Sequence, residues 1–304
     1  MNYIVKRLLH GLVVLFGISV VVFGLTWLTG DPASVLMPIN TPPEQVANFR
    51  RAMGLDQPLP VQYAAFLQRA VKGDLGNSFR HRTPALPLVL ERLPVTLRLM
   101  GAALAFAILA AVPLGFLAAA FHKRTPDFLA RFLALLGQSM AAPWLGVMLI
   151  FLFAVNLRWL PSSGAAKPDS IVLPAIVAGT YSAAGLTRLL RSSLLEVLAN
   201  DYIRTARAKG LTTRLVMGRH ALKNAAIPVV AFLGVQVTFM FGNTIIAETM
   251  FAYPGMSRLA VEAISTRDMP VIQVFVLLAG GLVVVVNLLI DFVYAWLDPR
   301  IRLA

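Results

Sequence analysis

Six apolar runs, each long enough to cross a bilayer, constrain this chain more than any other feature. A hydrocarbon core of about 30 Å needs roughly 20 helical residues, and Leu8–Leu28, Thr96–Phe121, Phe132–Val155, Ile171–Leu190, Ala226–Ala247 and Val271–Leu297 meet that length. Backbone amides find no water inside a membrane, so such runs close their hydrogen bonds internally as helices. Arg98 and Arg188 lie near run ends, and the surrounding Leu, Ile, Val and Phe offset one charge of about +3 kcal/mol. The fourth run is the most dilute, because Pro174, Thr180 and Ser182 interrupt it. Composition agrees with a bilayer solvent: 58% of the 304 residues are hydrophobic and 13% charged, against about 45–50% and 25% in soluble domains. The expected fold is therefore an all-α integral membrane protein with six transmembrane helices. The first run follows Lys6 and Arg7 like a secretory signal, yet it exceeds the usual ~7–15 apolar residues and no small-x-small cleavage site precedes Gly30-Asp31-Pro32, so it reads as an anchor. Asn2–Leu9 before it suits a short interfacial helix or a plain charged flank.

The net charge of +13 raises nucleic acid as a partner, and its distribution argues against it. Two basic residues precede the first run, three (Lys123, Arg124, Arg131) fall between the second and third, eight lie from Arg188 to Lys223, and two close the C-terminus. These fifteen of 27 sit on alternate loops, on the side that holds both termini, and the positive-inside rule makes that side cytoplasmic. The long loop Gly30–Val95 carries seven basic and five acidic residues and can lie outside. A bilayer accounts for the pattern, and nucleic acid is not needed. Without cysteine, no disulfide or zinc-thiolate framework is available.

Three divisions follow: 1–30 with the first helix, 31–95 as an extracytoplasmic helical loop, and 96–304 as a five-helix core with a cytoplasmic insert at 191–225. The outer loop has its own punctuation. Thr41, Pro43 and Glu44 predict a capped helix start, Val46, Phe49 and Met53 follow at helical spacing, and Gly54 stops it. A second helix is predicted over Pro60–Lys72, with Tyr63 and Phe66 on its apolar face and Gly73 at its end. These helices suit either a cap or a gate over the outer mouth, with Tyr63 and Phe66 as candidate gate residues. In the second run, Ala103, Ala107, Ala111, Gly115 and Ala119 form a small-residue stripe that reads as a helix-packing seam.

Enzyme chemistry has no visible foothold. There is no G-x-x-x-x-G-K-[ST] phosphate loop, no H-E-x-x-H and no G-x-S-x-G, and the four histidines are scattered, so no cofactor or metal is expected on this chain. Polar groups inside the runs are few. Gln138, Gln236 and Asn243 suit a polar passage or interhelical hydrogen bonding, and Asp291 suits pairing with an inner-loop arginine.

The insert is the most densely basic part. Asp201 reads as the N-cap of a helix through Arg204, Thr205, Ala206, Arg207, Ala208 and Lys209, and Gly210 supplies a left-handed stop before Leu211. Tyr202, Ala206 and Gly210 share a face that would admit another surface. Thr213 then caps a second helix, Arg214–Ala225, leading through Pro228 into the fifth span.

The segments Arg204-Thr205-Ala206-Arg207-Ala208-Lys209-Gly210 and His220-Ala221-Leu222-Lys223-Asn224-Ala225-Ala226-Ile227-Pro228 resemble the cytoplasmic signature loop of ABC importer permeases, specifically the dipeptide, oligopeptide and nickel branch. Further matches run through Gly54-Leu55-Asp56-Gln57-Pro58, Gly73-Asp74-Leu75-Gly76-Asn77-Ser78, Phe251-Ala252-Tyr253-Pro254-Gly255-Met256, Arg267-Asp268-Met269-Pro270 and Asp298-Pro299-Arg300. Where the general family loop carries Glu-Ala-Ala, this chain has Arg204-Thr205-Ala206. The resemblance implies a six-helix type I permease of a bacterial inner membrane. It would pair with a homologous second permease subunit, dock two ATPase subunits that bind ATP and magnesium, and receive solute from an extracytoplasmic binding protein. Arg204–Leu211 would be the helix seated in the ATPase. A short peptide is the implied solute, with nickel chelates and glutathione carried by close relatives. The alternative class is a stand-alone secondary transporter or channel, which would need a membrane-embedded relay.

Overall fold

The computed structural model describes residues 2–28, 37, 41–52, 54–212 and 215–297, all helical or connecting except for one isolated bridge, Asn77 to Pro84. The helices are α1 (Asn2–Leu28), α2 (Pro43–Ala52), α3 (Leu59–Val71), α4 (Ala85–Ala120), α5 (Thr125–Ser139), α6 (Ala142–Leu149), α7 (Val172–Leu198), α8 (Asp201–Ala208), α9 (Leu222–Met250), α10 (Met256–Ser265) and α11 (Met269–Leu297). Four stretches are long and apolar enough to cross a membrane: α4, Pro168–Leu198, Val216–Met250 and Met269–Ile290. The bent pair Thr125–Ser139 and Ala142–Asn156 makes a fifth if counted as one span.

That bent pair corrects the uninterrupted run expected from Phe132 to Val155. The chain turns by 107° between the halves, with Met140 and Ala141 extended at ψ 129° and 132°. Pro143 is the cause, since its ring would meet the Ser139 carbonyl of a continuing helix and it has no N–H to donate there. Proline is at home in the first turn of the new helix α6. Apolar periodicity does not register such a break. α4 also starts eleven residues before the expected Thr96, and α1 runs unbroken from Asn2, so no separate interfacial helix precedes the first span.

The chain divides into two compact units. In the first, Met1–Pro94 with Gly255–Leu288, α3 lies on α1. The Tyr63 hydroxyl is 2.7 Å from Ser19 Oγ, and the Tyr63 ring meets Phe16 and Phe23 edge-on at 6.1 and 5.4 Å. α2 and α3 match the two outer-loop helices within two residues at each end; Met53 and the Phe49 side chain lie outside the described residues. In the same unit the buried Asp268 carboxylate accepts from Ser78 Oγ and from the backbone N–H groups of Phe79 at 3.0 Å and Arg80 at 3.3 Å. One acid thereby fixes the turn between Gly76 and Pro84.

The second unit, Val95–Pro254 with Leu289–Ala304, is built around α7. Leu173, Leu186, Leu190 and Leu194 are fully buried, and α4, α5 and α9 supply the surrounding apolar surface. The expected small-residue stripe is a packing seam: Ala103, Ala107, Ala111 and Ala119 are all buried. A Cβ placed on Gly179 of α7 would come within 2.5 Å of the Ala103 carbonyl oxygen. Backbones approach this closely only where side chains are absent, which is how helices associate when lipid removes the hydrophobic drive.

Candidate functional site

Two features of the second unit are candidates for function: a short exposed helix, and a cavity among the long ones. The exposed helix is α8. Its N-cap is Asn200, with no side-chain cap, so Asp201 lies in the first turn and is not the cap that the sequence suggests. A carboxylate in that turn still favours the positive end of the helix. Ile203 and Ala206 are buried and pack with Val216 and Leu198. That packing corrects the expected outward face of Tyr202, Ala206 and Gly210, because Ala206 is turned inward. Arg204, Thr205, Arg207, Ala208, Lys209, Gly210 and Leu211 are all exposed. Gly210 has φ +79° and donates its N–H to the Arg207 carbonyl at 2.9 Å, while Leu211 donates to Ala206 at 3.3 Å. Such paired bonds around a left-handed residue end a helix abruptly. The Tyr202 hydroxyl accepts from Asn224 Nδ2 at 2.9 Å, joining α8 to the start of α9.

The second helix of the insert is not separate. A π-helical turn, Val216–Ala221, runs straight into α9, with Pro228 inside that helix; Thr213 and Arg214 lie outside the described residues. α8 therefore sits between the ends of two long helices, one leading in through Leu198 and one leading out from Val216.

A polar clamp between α5 and α7 was not legible in the sequence. Asp127, at the start of α5, has its side chain 1% exposed. It accepts two hydrogen bonds from Arg191 of α7, at 2.6 Å from Nε and 2.9 Å from Nη2, and one at 2.9 Å from the Lys123 N–H. Arg131 Nε stands 3.2 Å away and His122 Nδ1 3.5 Å away. Bidentate guanidinium–carboxylate pairing is the strongest geometry open to such groups. It pins the turn between α4 and α5 onto α7, seven residues before Leu198. The basic residues here were legible only as inside-loop charges.

The cavity, of about 650 Å³, is lined by Gln138 of α5, Tyr181, Arg188 and Ser192 of α7, and Phe232 and Gln236 of α9, among others. Two of the three expected passage amides meet in it. Gln236 is 4% exposed and its Oε1 accepts from the buried Ser182 hydroxyl at 3.1 Å. Asn243, two turns along α9, is half-buried and is not among the lining residues. Tyr63 and Phe66 belong to the other unit, where Phe66 is buried and Tyr63 bonds Ser19. Glu248 is buried and accepts from Thr96 Oγ1 at 2.6 Å; the Asp291 side chain and Arg300 lie outside the described residues. Among the described residues, no group of three or more His, Asp or Glu could hold a metal ion.

The family described as "Binding-protein-dependent transport system inner membrane component" matches residues 111–303. "Binding-prot-dependent transport system membrane comp, N-term" matches residues 1–100. The "Glutathione transport system permease protein GsiC" of Escherichia coli is 39% identical over 303 residues, 99% of each chain. Proteins of the same name in Shigella flexneri and Salmonella paratyphi A are similar to the same degree. Among solved structures, an inward-facing MetNI methionine ABC transporter overlays with a TM-score of 0.57 at 16% identity, covering 69% of this chain and 96% of that one. An amino acid ABC transporter crystallised with histidines gives 0.52 at 15% identity, covering 70% and 94%. At these identities the two structures speak to the fold alone.

Proposed function

This chain belongs to the family of binding-protein-dependent transport system inner membrane components and is a permease of an ABC importer, and from that premise we propose that its solute is a short peptide or a peptide-like compound such as glutathione. The observation that carries the proposal is the 39% identity to a glutathione permease across 99% of both chains. The cavity supports it, because amides, a hydroxyl, aromatic walls and one guanidinium are what a peptide needs for its backbone, side chains and terminus.

The proposed topology counts six spans: α1, α4, the bent pair α5–α6, α7, α9 and α11. Both termini are cytoplasmic and Gly30–Val95 is extracytoplasmic, in a bacterial inner membrane. Partners are a homologous permease subunit, two ATPase subunits that hold ATP and magnesium, and an extracytoplasmic binding protein. Arg204–Leu211 on the exposed face of α8 is the surface proposed to sit in the ATPase. Gln138 and Gln236 line the passage, with Asn243 further along it on α9. α3, fastened to α1 through Tyr63 and Phe66, is proposed as the outer-gate element.

Reconstitution tests this directly. Liposomes holding this chain, its partner permease and both ATPases, supplied with binding protein outside, should accumulate labelled glutathione or a labelled dipeptide only with ATP inside. Accumulation by this chain alone, driven by an ion gradient and indifferent to the ATPases, would overturn the reading in favour of a secondary transporter.

A further inference from the structure

α7 carries two arginines one turn apart, in opposite electrostatic situations. Arg191 is bound by the Asp127 carboxylate. Arg188 lines the 650 Å³ cavity, and its guanidinium makes no hydrogen bond or ion pair with a described residue. The lining residues include no acid. In the sequence Arg188 reads only as a charge that a span tolerates near its end.

Its depth makes the free charge informative. The segment Pro168–Leu198 has 31 residues, about 46 Å of helix at 1.5 Å per residue, so it overhangs a core of about 30 Å at both ends. Arg188 lies five residues from the middle of that segment, roughly 7–8 Å along the axis, and one turn inward of the Asp127–Arg191 clamp, so it stands toward the inner end of the span. An ionisable group there is expensive unless it meets water or a counter-ion. Arg188 is exposed, and the cavity is the space it opens into.

We propose that Arg188 reads a carboxylate of the transported solute, making the passage selective for solutes that bear a carboxylate beside apolar and amide groups. This rests on the permease reading above and narrows it to a charge class. The planar guanidinium fork matches a carboxylate with two parallel hydrogen bonds, which a point charge does not offer. Around it, Gln138 presents an amide for peptide groups, and Ser192, whose hydroxyl donates to the Leu189 carbonyl at 2.9 Å, keeps its lone pairs to accept from a peptide N–H. Gln236, whose Oε1 is engaged by Ser182, keeps its NH2 group to donate. Tyr181 and Phe232 supply the apolar walls. A lipid phosphate or an acid of the partner permease would satisfy the same guanidinium, and either would close the site to solute.

Charge-selective thiol labelling separates these cases, because the chain has no cysteine of its own. Ser192→Cys is placed in the assembled importer, whose other chains are rendered cysteine-free. Its modification rates with a sulfonate-bearing and a trimethylammonium-bearing methanethiosulfonate are compared, the sulfonate standing in for the carboxylate. With each rate normalised to that of a small free thiol, the anionic reagent is expected to be favoured at Ser192→Cys by about tenfold, as a focused field allows. Adding Arg188→Gln should abolish that preference and Arg188→Lys should keep it. An unchanged rate ratio in Arg188→Gln overturns the proposal, as does failure of both reagents to reach Ser192→Cys, which indicates occupation by lipid or by the partner. Wild-type uptake of a labelled dipeptide is measured in the same liposomes. Its absence counts against the peptide-permease reading, whereas normal uptake with no charge preference counts against Arg188 alone.

Discussion

Gly210 and Asp127 each do something that no neighbouring residue type could do. At Gly210 the demand is conformational. Its φ is +79°, and an added Cβ would meet nothing within 4 Å. A substitution there therefore acts through the backbone, and a β-branched residue in the left-handed region loses about 1–2 kcal/mol locally. Gly210→Val should leave the membrane helices folded, because the turn is exposed, while the importer loses both binding-protein stimulation of ATP hydrolysis and uptake. Gly210→Asn should retain most of both, since asparagine tolerates the conformation. Full stimulation in Gly210→Val would remove this turn from coupling. At Asp127 the demand is electrostatic. Removing one partner of a fully buried pair typically destabilises by about 3–5 kcal/mol, whereas an exposed pair contributes about 0–1; with Asp127 buried and Arg191 19% exposed, this pair falls between the two. Asp127→Asn and Arg191→Leu should thus lower the melting temperature in detergent sharply. Arg131→Ala, on a side chain 53% exposed, should barely change it. Equal effects from all three would mean that the cluster acts as a diffuse surface network and not as a clamp between α5 and α7.

Among the elements, α4 and α7 show what sets helix contacts in this chain. Their seam is close because Gly179 faces the Ala103 carbonyl at a distance no side chain could occupy. Gly179→Ala should cost about 1–3 kcal/mol by overpacking, visible as a lower melting temperature, while Gly242→Ala, which meets nothing within 4 Å, should be silent in the same assay. The seam was legible because small residues repeating every four positions mark one face of one helix. The location of most spans was legible for a similar reason: lipid requires long apolar runs and leaves few alternatives. What lay beyond the sequence needed three dimensions or a single local conflict. Pro143 overrides an apolar run that otherwise looks continuous, and Glu91 and Arg92 hide the early start of α4 among polar residues. The Asp127 clamp joins residues 64 positions apart. Ala206 turned inward because Ile203, one turn earlier, and Val216 draw that face of α8 against Leu198. The face of α8 left for a partner is consequently the basic one, through Arg204 and Arg207.

At the scale of the whole molecule, the proposed mechanism depends on which side of the membrane each loop occupies. The basic residues around α8 and the clamp at Asp127 belong to connections that alternate with Gly30–Val95 along the chain. Lys and Arg flanking spans are retained on the cytoplasmic side during insertion. If α8 is to meet ATPases, it must share that side, and α2 and α3 must face the opposite one to meet a binding protein. Asn48 and Thr212 are both exposed on helix and turn surfaces, which makes them suitable reporters in a chain without cysteine. In sealed right-side-out vesicles, Asn48→Cys should react at once with an impermeant maleimide, and Thr212→Cys should react only after the membrane is permeabilised. The opposite pattern would invert the topology, placing the coupling surface beyond the reach of any cytoplasmic ATPase. Reaction of both cysteines in intact vesicles would mean an even number of spans between them in place of the three proposed, so that either the bent pair α5–α6 re-enters without crossing or one of the long helices fails to span.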